Sequence, residues 1–276
     1  MERVPNAETG LAALIGTHDL LFVTFDTLRY DVAVAEWAAG RTPNFARWFP
    51  SGWERRHTPS SFTYGAHLAF FAGFLPTPAT PGPHPRLFAS RFEGSETTGP
   101  GTFVFDEPDL PAALARRDYH TLCLGGVGFF NKRNALGSVL PALFAESHWS
   151  PDMGVTARHS TENQVACALD AIARLPDDRR LFLFLNVSAL HQPNCCYLDP
   201  PGDRDSLASH AAALRYADAA LAPLMAALLG RAPLFAIFCS DHGTAYGEDG
   251  YHGHRIGHRS VWEVPYAQGV PSREDK

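Results

Sequence analysis

Four apolar runs constrain the fold of this chain more than any other feature: LLFVTF (20–25), TLCLGG (121–126), LFLFLNV (181–187) and PLFAIFCS (233–240). None alternates polar with apolar residues. A strand with one wet face shows that alternation, and a strand covered on both faces does not. Helical patterns separate the runs. PDLPAALARR (108–117) precedes the second, TENQVACALDAIARL (161–175) the third, and DSLASHAAALRYADAALAPLMAALLG (205–230) the fourth. Thr161 and Gln164 stand at capping-box spacing, and Gly230 is placed to cap the last helix. Strands alternating with helices predict an α/β fold, a three-layer α/β/α sandwich with a mostly parallel central sheet. The 276 residues contain no linker-like stretch, so a single domain over 1–276 is expected. The Pro- and Gly-rich stretch from Leu75 to Gly101 reads as a long irregular excursion, either surface packing or a lid.

Folds of this kind place their sites at the carboxyl ends of the strands. Asp26 stands there, after the first run. A carboxylate at the tip of a buried strand is costly unless its charge is compensated. Taken alone it reads as a helix cap; with further ligands it reads as a metal ligand. The fourth run leads into FCSDHGTAYGEDGYHGHRIGH (238–258), where Asp241 and His242 follow the strand at once. As the backbone leaves the sheet, both side chains can turn to one cation. Carboxylate with imidazole suits Zn²⁺ or Mn²⁺ better than Ca²⁺. His252, His254 and His258 follow, and His252 alone reads as a solvated residue.

SSFTYGAHLAFFAGFLP (60–76) contains a buried helix from Ala66 to Ala72, with Thr63 near its amino end. Unpaired N–H groups there favour an anion. Thr63 is an N-cap on this segment alone, and its hydroxyl becomes a nucleophile only with help from a metal or base. In NVSALHQPN (186–194), His191 stands four residues past the third run, on the same edge, as a substrate contact or proton donor.

The net charge of −6 gives no electrostatic footprint for nucleic acid. An anionic substrate would need a local positive source such as a metal. The five cysteines are odd in number and form no C-x-x-C pair. Cys123 and Cys239 fall inside strands as inert core residues, and adjacent Cys195 and Cys196 match no common metal spacing. A reducing compartment, no signal peptide in the first twenty residues and no apolar run of membrane-spanning length lead us to expect a cytoplasmic chain.

In their order along the chain, these segments resemble the alkaline phosphatase and sulfatase superfamily, and the resemblance covers most of the sequence. DTLRYD (26–31) resembles the first metal segment and TPNFARW (42–48) the helix after it. FTYGAHLAFFAGFLP (62–76) resembles the nucleophile segment; counting back ten residues from Gly73 puts Thr63 on the nucleophile position. DLPAALARRDYHTLCLGG (109–126) resembles the family's helix, Gly-Tyr-x-Thr turn and strand, with Asp118 where glycine is usual. LHQP (190–193) resembles the histidine–proline loop, LRYADAAL (214–221) the helix before the last central strand, and SDHG (240–243) the closing metal motif. GYHGH (250–254) resembles the glycine–histidine segment of the phosphoethanolamine and lipoteichoic-acid transferase branch, and small bacterial hydrolase-like proteins are the nearest in character.

The resemblance implies a divalent metal, Zn or Mn, held by Asp26, Asp241, His242 and Thr63, with Thr63 also the nucleophile. It implies that His191 and His254 hold or protonate a small anionic phosphoester substrate. His258 is a further candidate for that role, and Lys132, in FFNKRN, for contact with an anionic oxygen. Threonine cannot form the aldehyde that sulfatases derive from cysteine or serine, so sulfatase activity is disfavoured. Gly65 and Ala66 replace the proline and serine common after the nucleophile. Only a short stretch follows VWEVPYAQG (261–269), so the family's C-terminal subdomain is expected to be largely absent. Two-zinc members carry Asp-x-x-x-His where this chain has Val187 before His191; one metal site is favoured, with a second held by histidines left open. The expected function is a metal-dependent phosphoester hydrolase or phosphotransferase. The alternatives are a phosphomutase, or a metal- and anion-binding protein that kept the fold without turnover.

Overall fold

A computed structural model of the chain describes residues 12–73, 75, 81–84, 86–89, 99, 102–104 and 109–272. Most of the 75–101 excursion lies outside the described residues, and the expectation of a lid with it. The main sheet comprises β1 (Asp19–Phe25), β2 (Glu54–His57), β3 (Tyr119–Leu124), β4 (Glu146–His148), β5 (Arg180–Val187) and β6 (Leu234–Ser240). A small antiparallel pair, β7 (Ala245–Tyr246) and β8 (His252–Gly253), stands apart from it, and β9 (Glu263–Gly269) returns to it. The seven main strands run in the order β2-β9-β6-β1-β5-β3-β4. All pairings from β6 to β4 are parallel, whereas β9 is antiparallel to both β6 and β2.

The absence of alternation in the apolar runs has a direct structural counterpart. Leu21, Val23 and Phe25 of β1, with Leu181, Leu183 and Leu185 of β5 and Phe238 of β6, face one core. That core is roofed by α1 (Tyr30–Ala38), α2 (Pro43–Trp48) and further helices described below. Phe22, Phe182, Phe184 and Cys239 face the other core, under α3 (Thr63–Ala72) and α4 (Leu110–Ala115). Each fully buried Leu or Phe contributes about 1.5–3 kcal/mol, so both faces drive assembly of the sheet. Burial also pushes the Cys123 and Cys239 thiols up, so they stay protonated core residues.

Helix boundaries differ from the sequence reading in several places. α5 (Ser160–Ile172) begins after His159, so Thr161 lies inside the first turn and forms no capping box. Gln164 is turned inward instead, its Nε2 donating to Gly125 O (3.1 Å) and Asn186 O (2.7 Å). These two bonds hold the amide in the interior, away from the start of the helix. The 205–230 pattern is two helices, α6 (Leu207–Ala220) and α7 (Ala222–Arg231). Pro223 has no N–H to continue the ladder, so the helix breaks at Leu221. A capping box of Ser206 with Ser209 starts α6. Gly230 lies within the last turn of α7, and Ala232 is the cap residue.

Among the described residues, Leu207–Arg231 is the one stretch long and apolar enough to cross a bilayer. Its Ala213, Leu214, Ala217, Leu224, Met225 and Leu228 are buried in the first core. At the turn into β3, Asp118 takes φ +63°, the left-handed conformation that glycine favours and Asp tolerates.

Candidate metal centre

The parallel register builds the site. Phe25 is paired with Val187 on one side and Ser240 on the other, so the residues after each strand leave the sheet at one edge. Asp26 N donates to Val187 O (3.0 Å), which holds Asp26 at the strand tip. Thr27 turns the chain at φ +68° and donates its N–H to Asp241 Oδ1 (3.3 Å). His242 N donates to the same oxygen (2.9 Å). Thr58 Oγ1 donates to the Asp241 carbonyl, tying the end of β2 to the site. Gly243 follows because a Cβ there would lie 2.0 Å from Ser260 O, at the start of the short helix α8 (Arg259–Trp262).

Asp26, Asp241 and His242 are all fully buried, and one ligand atom from each lies within 4.8 Å of the others. Their donor chemistry fits a cation. Asp26 Oδ1 and Asp241 Oδ2 have no hydrogen-bond partner among the described residues. His242 Nδ1 lies 2.9 Å from Gly243 O; a carbonyl only accepts, so the proton is on Nδ1 and the Nε2 lone pair faces the cluster. Burial, then Asp241 beside it, raises the Asp26 carboxyl to about 6. Burial raises Asp241 to about 7 and lowers His242. Two orphaned buried carboxylate oxygens and an imidazole lone pair at one point are unfavourable without a positive ion. Oxygen and nitrogen donors together suit Zn²⁺ or Mn²⁺.

Thr63 is brought to this cluster. It is the first residue of α3, after Phe62 in extended conformation, and its side chain caps nothing. Its Oγ1 lies 3.2 Å from Asp26 Oδ2 and 3.2 Å from His242 Nε2. At Gly65 a Cβ would lie 2.5 Å from Ser60 Oγ and 3.1 Å from Phe62 Cε1, so glycine lets these side chains pack against the start of the helix.

His191 and His254 converge on the same place. The His254 ring stacks on His242 with centroids 4.6 Å apart, and lies 6.0 Å from the His191 ring. Burial and the two neighbouring imidazoles lower His254 to about 4, so it is neutral at pH 7. His191 is half-buried and close enough to favour the ionised forms of both Asp26 and Asp241.

Two residues of the sequence reading are engaged elsewhere. Lys132 Nζ donates to Ser147 O (2.7 Å) and Oγ (3.2 Å) on β4, beyond β3 from the site. His258 caps α8 by accepting from Ser260 N (3.2 Å), and pairs with Asp249 (3.1 Å). A cation that acts on the cluster among the described residues is Arg255, which lowers the pKa of both His242 and His254. Arg255 adopts φ +67°, donates its N–H to Ser61 O (2.9 Å) and lies 5.6 Å over the Phe62 ring. Its conformation in a polar loop leaves no sequence signal. His67 was also missed, although a lone histidine in the apolar run 66–72 was visible.

A parallel sheet between helices, with two carboxylates, an imidazole and a hydroxyl gathered where its strands end, defines an alkaline-phosphatase-like fold. The sulfatase family model matches residues 18–268, and the chain belongs to that family. No protein of curated function matches the sequence. Among solved structures, the soluble domain of lipooligosaccharide phosphoethanolamine transferase A from Neisseria meningitidis superposes with TM-score 0.62 at 15% identity, over 93% of this chain and 77% of that one. The C-terminal periplasmic domain of EcEptC from Escherichia coli, in complex with Zn, gives 0.61 at 11% identity, over 92% and 73%. An alkaline phosphatase superfamily protein from Vibrio parahaemolyticus gives 0.55 at 15%, over 92% and 60%. At these identities the likeness is one of fold.

Proposed function

We propose that this chain is a divalent-metal-dependent phosphoester hydrolase or phosphotransferase with Thr63 as its nucleophile. The observation that carries this reading is the Thr63 hydroxyl, 3.2 Å from both Asp26 Oδ2 and His242 Nε2, inside a buried donor set that suits a cation. Asp26, Asp241, His242 and Thr63 would hold the metal. When bound, the metal supplies charge that favours the alkoxide form of threonine and neutralises a phosphoryl oxygen. The one Thr63 hydroxyl proton passes to Asp26 Oδ2 as Oγ1 attacks phosphorus. A new O–P bond forms, and the bond to the leaving oxygen breaks with its electron pair on that oxygen. His254, neutral at pH 7, donates a hydrogen bond to a phosphoryl oxygen. His191 keeps its Nδ1 proton on Gln192 O, and in its imidazolium form it gives the Nε2 proton to the leaving oxygen. The bare Nε2 then takes a proton from water or an acceptor alcohol as that attacks phosphorus, the Thr63 O–P bond breaking and Oγ1 recovering its proton from Asp26. The absence of an aldehyde-forming residue at 63 argues against sulfate ester cleavage. The phosphoethanolamine transferase named among the structural neighbours is consistent with phosphoryl-group transfer.

The test is nitrophenyl phosphate mono- and diesters with added Zn²⁺ or Mn²⁺. Thr63→Ala should lose several orders of magnitude in rate, and Thr63→Ser should retain measurable turnover. Acid quenching should leave phosphate on the peptide containing Thr63. Full activity in Thr63→Ala would refute the covalent mechanism, and no turnover by the wild-type chain on any ester would favour a protein that only binds metal and anion.

A further inference from the structure

Beneath the metal centre a single row of buried hydrogen bonds crosses three neighbouring strands and ends on Thr63. Gly126 N and Val127 N, just past β3, donate to Asn186 Oδ1 on β5 (3.3 and 3.1 Å). Asn186 Nδ2 donates to Thr24 Oγ1 on β1 (3.3 Å), its register partner. Thr24 Oγ1 lies 3.0 Å from His67 Nε2, and His67 Nδ1 lies 2.7 Å from the Thr63 carbonyl. Thr24, His67 and Asn186 are fully buried, so no water competes for these partners.

The direction of every bond in the row is fixed from its ends. Backbone N–H groups only donate, so Asn186 must present its oxygen to residues 126 and 127, and its NH₂ to Thr24. A carbonyl only accepts, so His67 must carry its proton on Nδ1. Its Nε2 is then an acceptor, and the Thr24 hydroxyl proton must point to it. The Phe70, Phe71, Phe130 and Phe184 rings pack around the imidazole, and Nδ1 also lies 3.8 Å from Asp241 Oδ2, an acceptor that agrees with a proton on that nitrogen. Thr63 O thus receives an imidazole proton in addition to the helical N–H. The first turn of α3 is thereby tied to β1 two residues before Asp26.

We infer that His67 is a positioning residue, held as its Nδ1–H tautomer by Thr24 and Asn186, which fixes the nucleophile Thr63 in relation to the ligand Asp26. This rests on the reading of Thr63 as nucleophile, but the hydrogen-bond row itself does not. Nothing in the sequence motifs assigns His67, Thr24 or Asn186 a role.

The two parts are tested separately. Nitrogen-15 NMR of the imidazoles, on wild-type protein without substrate, should show His67 with a protonated Nδ1 and a bare Nε2; a protonated Nε2 overturns the inference. Thr24→Val removes the donor to Nε2 at nearly constant volume. On nitrophenyl phosphate, kcat should fall about tenfold with KM within about twofold, because Thr63 is displaced while the binding groups remain. Thr24→Ser restores the hydroxyl and should recover most of kcat. Wild-type kcat in Thr24→Val, or a loss that Thr24→Ser fails to recover, overturns the positioning role. Should His67→Asn fail to fold, the Thr24 pair and the tautomer still decide. If the wild-type chain turns over no phosphoester, the proposed function fails, and zinc affinity replaces kcat: Thr24→Val should weaken it about fivefold and Thr24→Ser should restore it, with equal affinity in all three overturning the inference.

Discussion

Asp241→Asn should stabilise the metal-free protein while removing its response to metal. Asp241 Oδ1 accepts from Thr27 N and His242 N, and an asparagine oxygen can keep both bonds. Oδ2, which has no partner, becomes an NH₂ at 3.6 Å from the His242 Nε2 lone pair. The wild-type carboxyl is raised by burial from 3.8 to about 7. Folding with a raised carboxyl pKa is fully favoured below pH 4, and the contribution is lost as pH climbs through about 7. At 1.36 kcal/mol per pKa unit the burden at pH 8 is about 4 kcal/mol at most. A gain of about 2–4 kcal/mol is expected for the variant, or about 4–8 °C in Tm for a chain of this size. The assay is thermal melting in a chelator at pH 4.5 and pH 8, then with zinc. The gain should be large at pH 8 and fall to about 1 kcal/mol or less at pH 4.5. Zinc at a hundred times its Kd should stabilise the wild type by about 2.7 kcal/mol and leave the variant nearly unmoved. A variant less stable than wild type in chelator at pH 8, or an equal zinc shift in both, would refute the reasoning.

Three further outcomes are expected. Gly243→Ala should cost about 1–3 kcal/mol in chemical denaturation, because its Cβ would meet the Ser260 carbonyl at 2.0 Å and backbone must move; a neutral result would contradict the close approach. Arg255→Gln should raise KM for nitrophenyl phosphate about tenfold or more and change kcat little, since the guanidinium has no carboxylate partner among the described residues; an unchanged KM would show that it does not meet the substrate. His258→Ala should lose about 1 kcal/mol of stability as an N-cap and keep its rate, and a rate loss without a stability change would return His258 to the site.

The sheet was legible because burial on both faces removes alternation, and Leu21, Phe22 and Val23 show this directly. The strand-tip positions of Asp26 and Asp241 were legible too, because a carboxylate that ends a buried strand has few ways to be tolerated. What escaped depends on three-dimensional competition. Gln164 abandons a cap to serve two distant carbonyls, and Pro223 breaks a helix whose apolar pattern runs on without interruption. Lys132 and Arg255 have the same charge and both occupy left-handed positions, and only the folded chain turns one to Ser147 and the other to Phe62. The role of His67 needs three strands in register before it has any meaning.

At its two margins the sheet ends in short strands of unlike length but similar character. β2 is four residues, Glu54-Arg55-Arg56-His57, all exposed. β4 is three residues, Glu146-Ser147-His148, with Glu146 bridged by His120, His148 and Arg174. A foreign strand docking at either margin would have to strip water from charged side chains and would find only three or four residues to pair with. The sheet therefore resists growth by strand addition, the route by which open sheets of different molecules fuse into aggregates. Replacing Arg55 and Arg56 with valine should open that route, seen as concentration-dependent light scattering, and an unchanged monodisperse solution would contradict it.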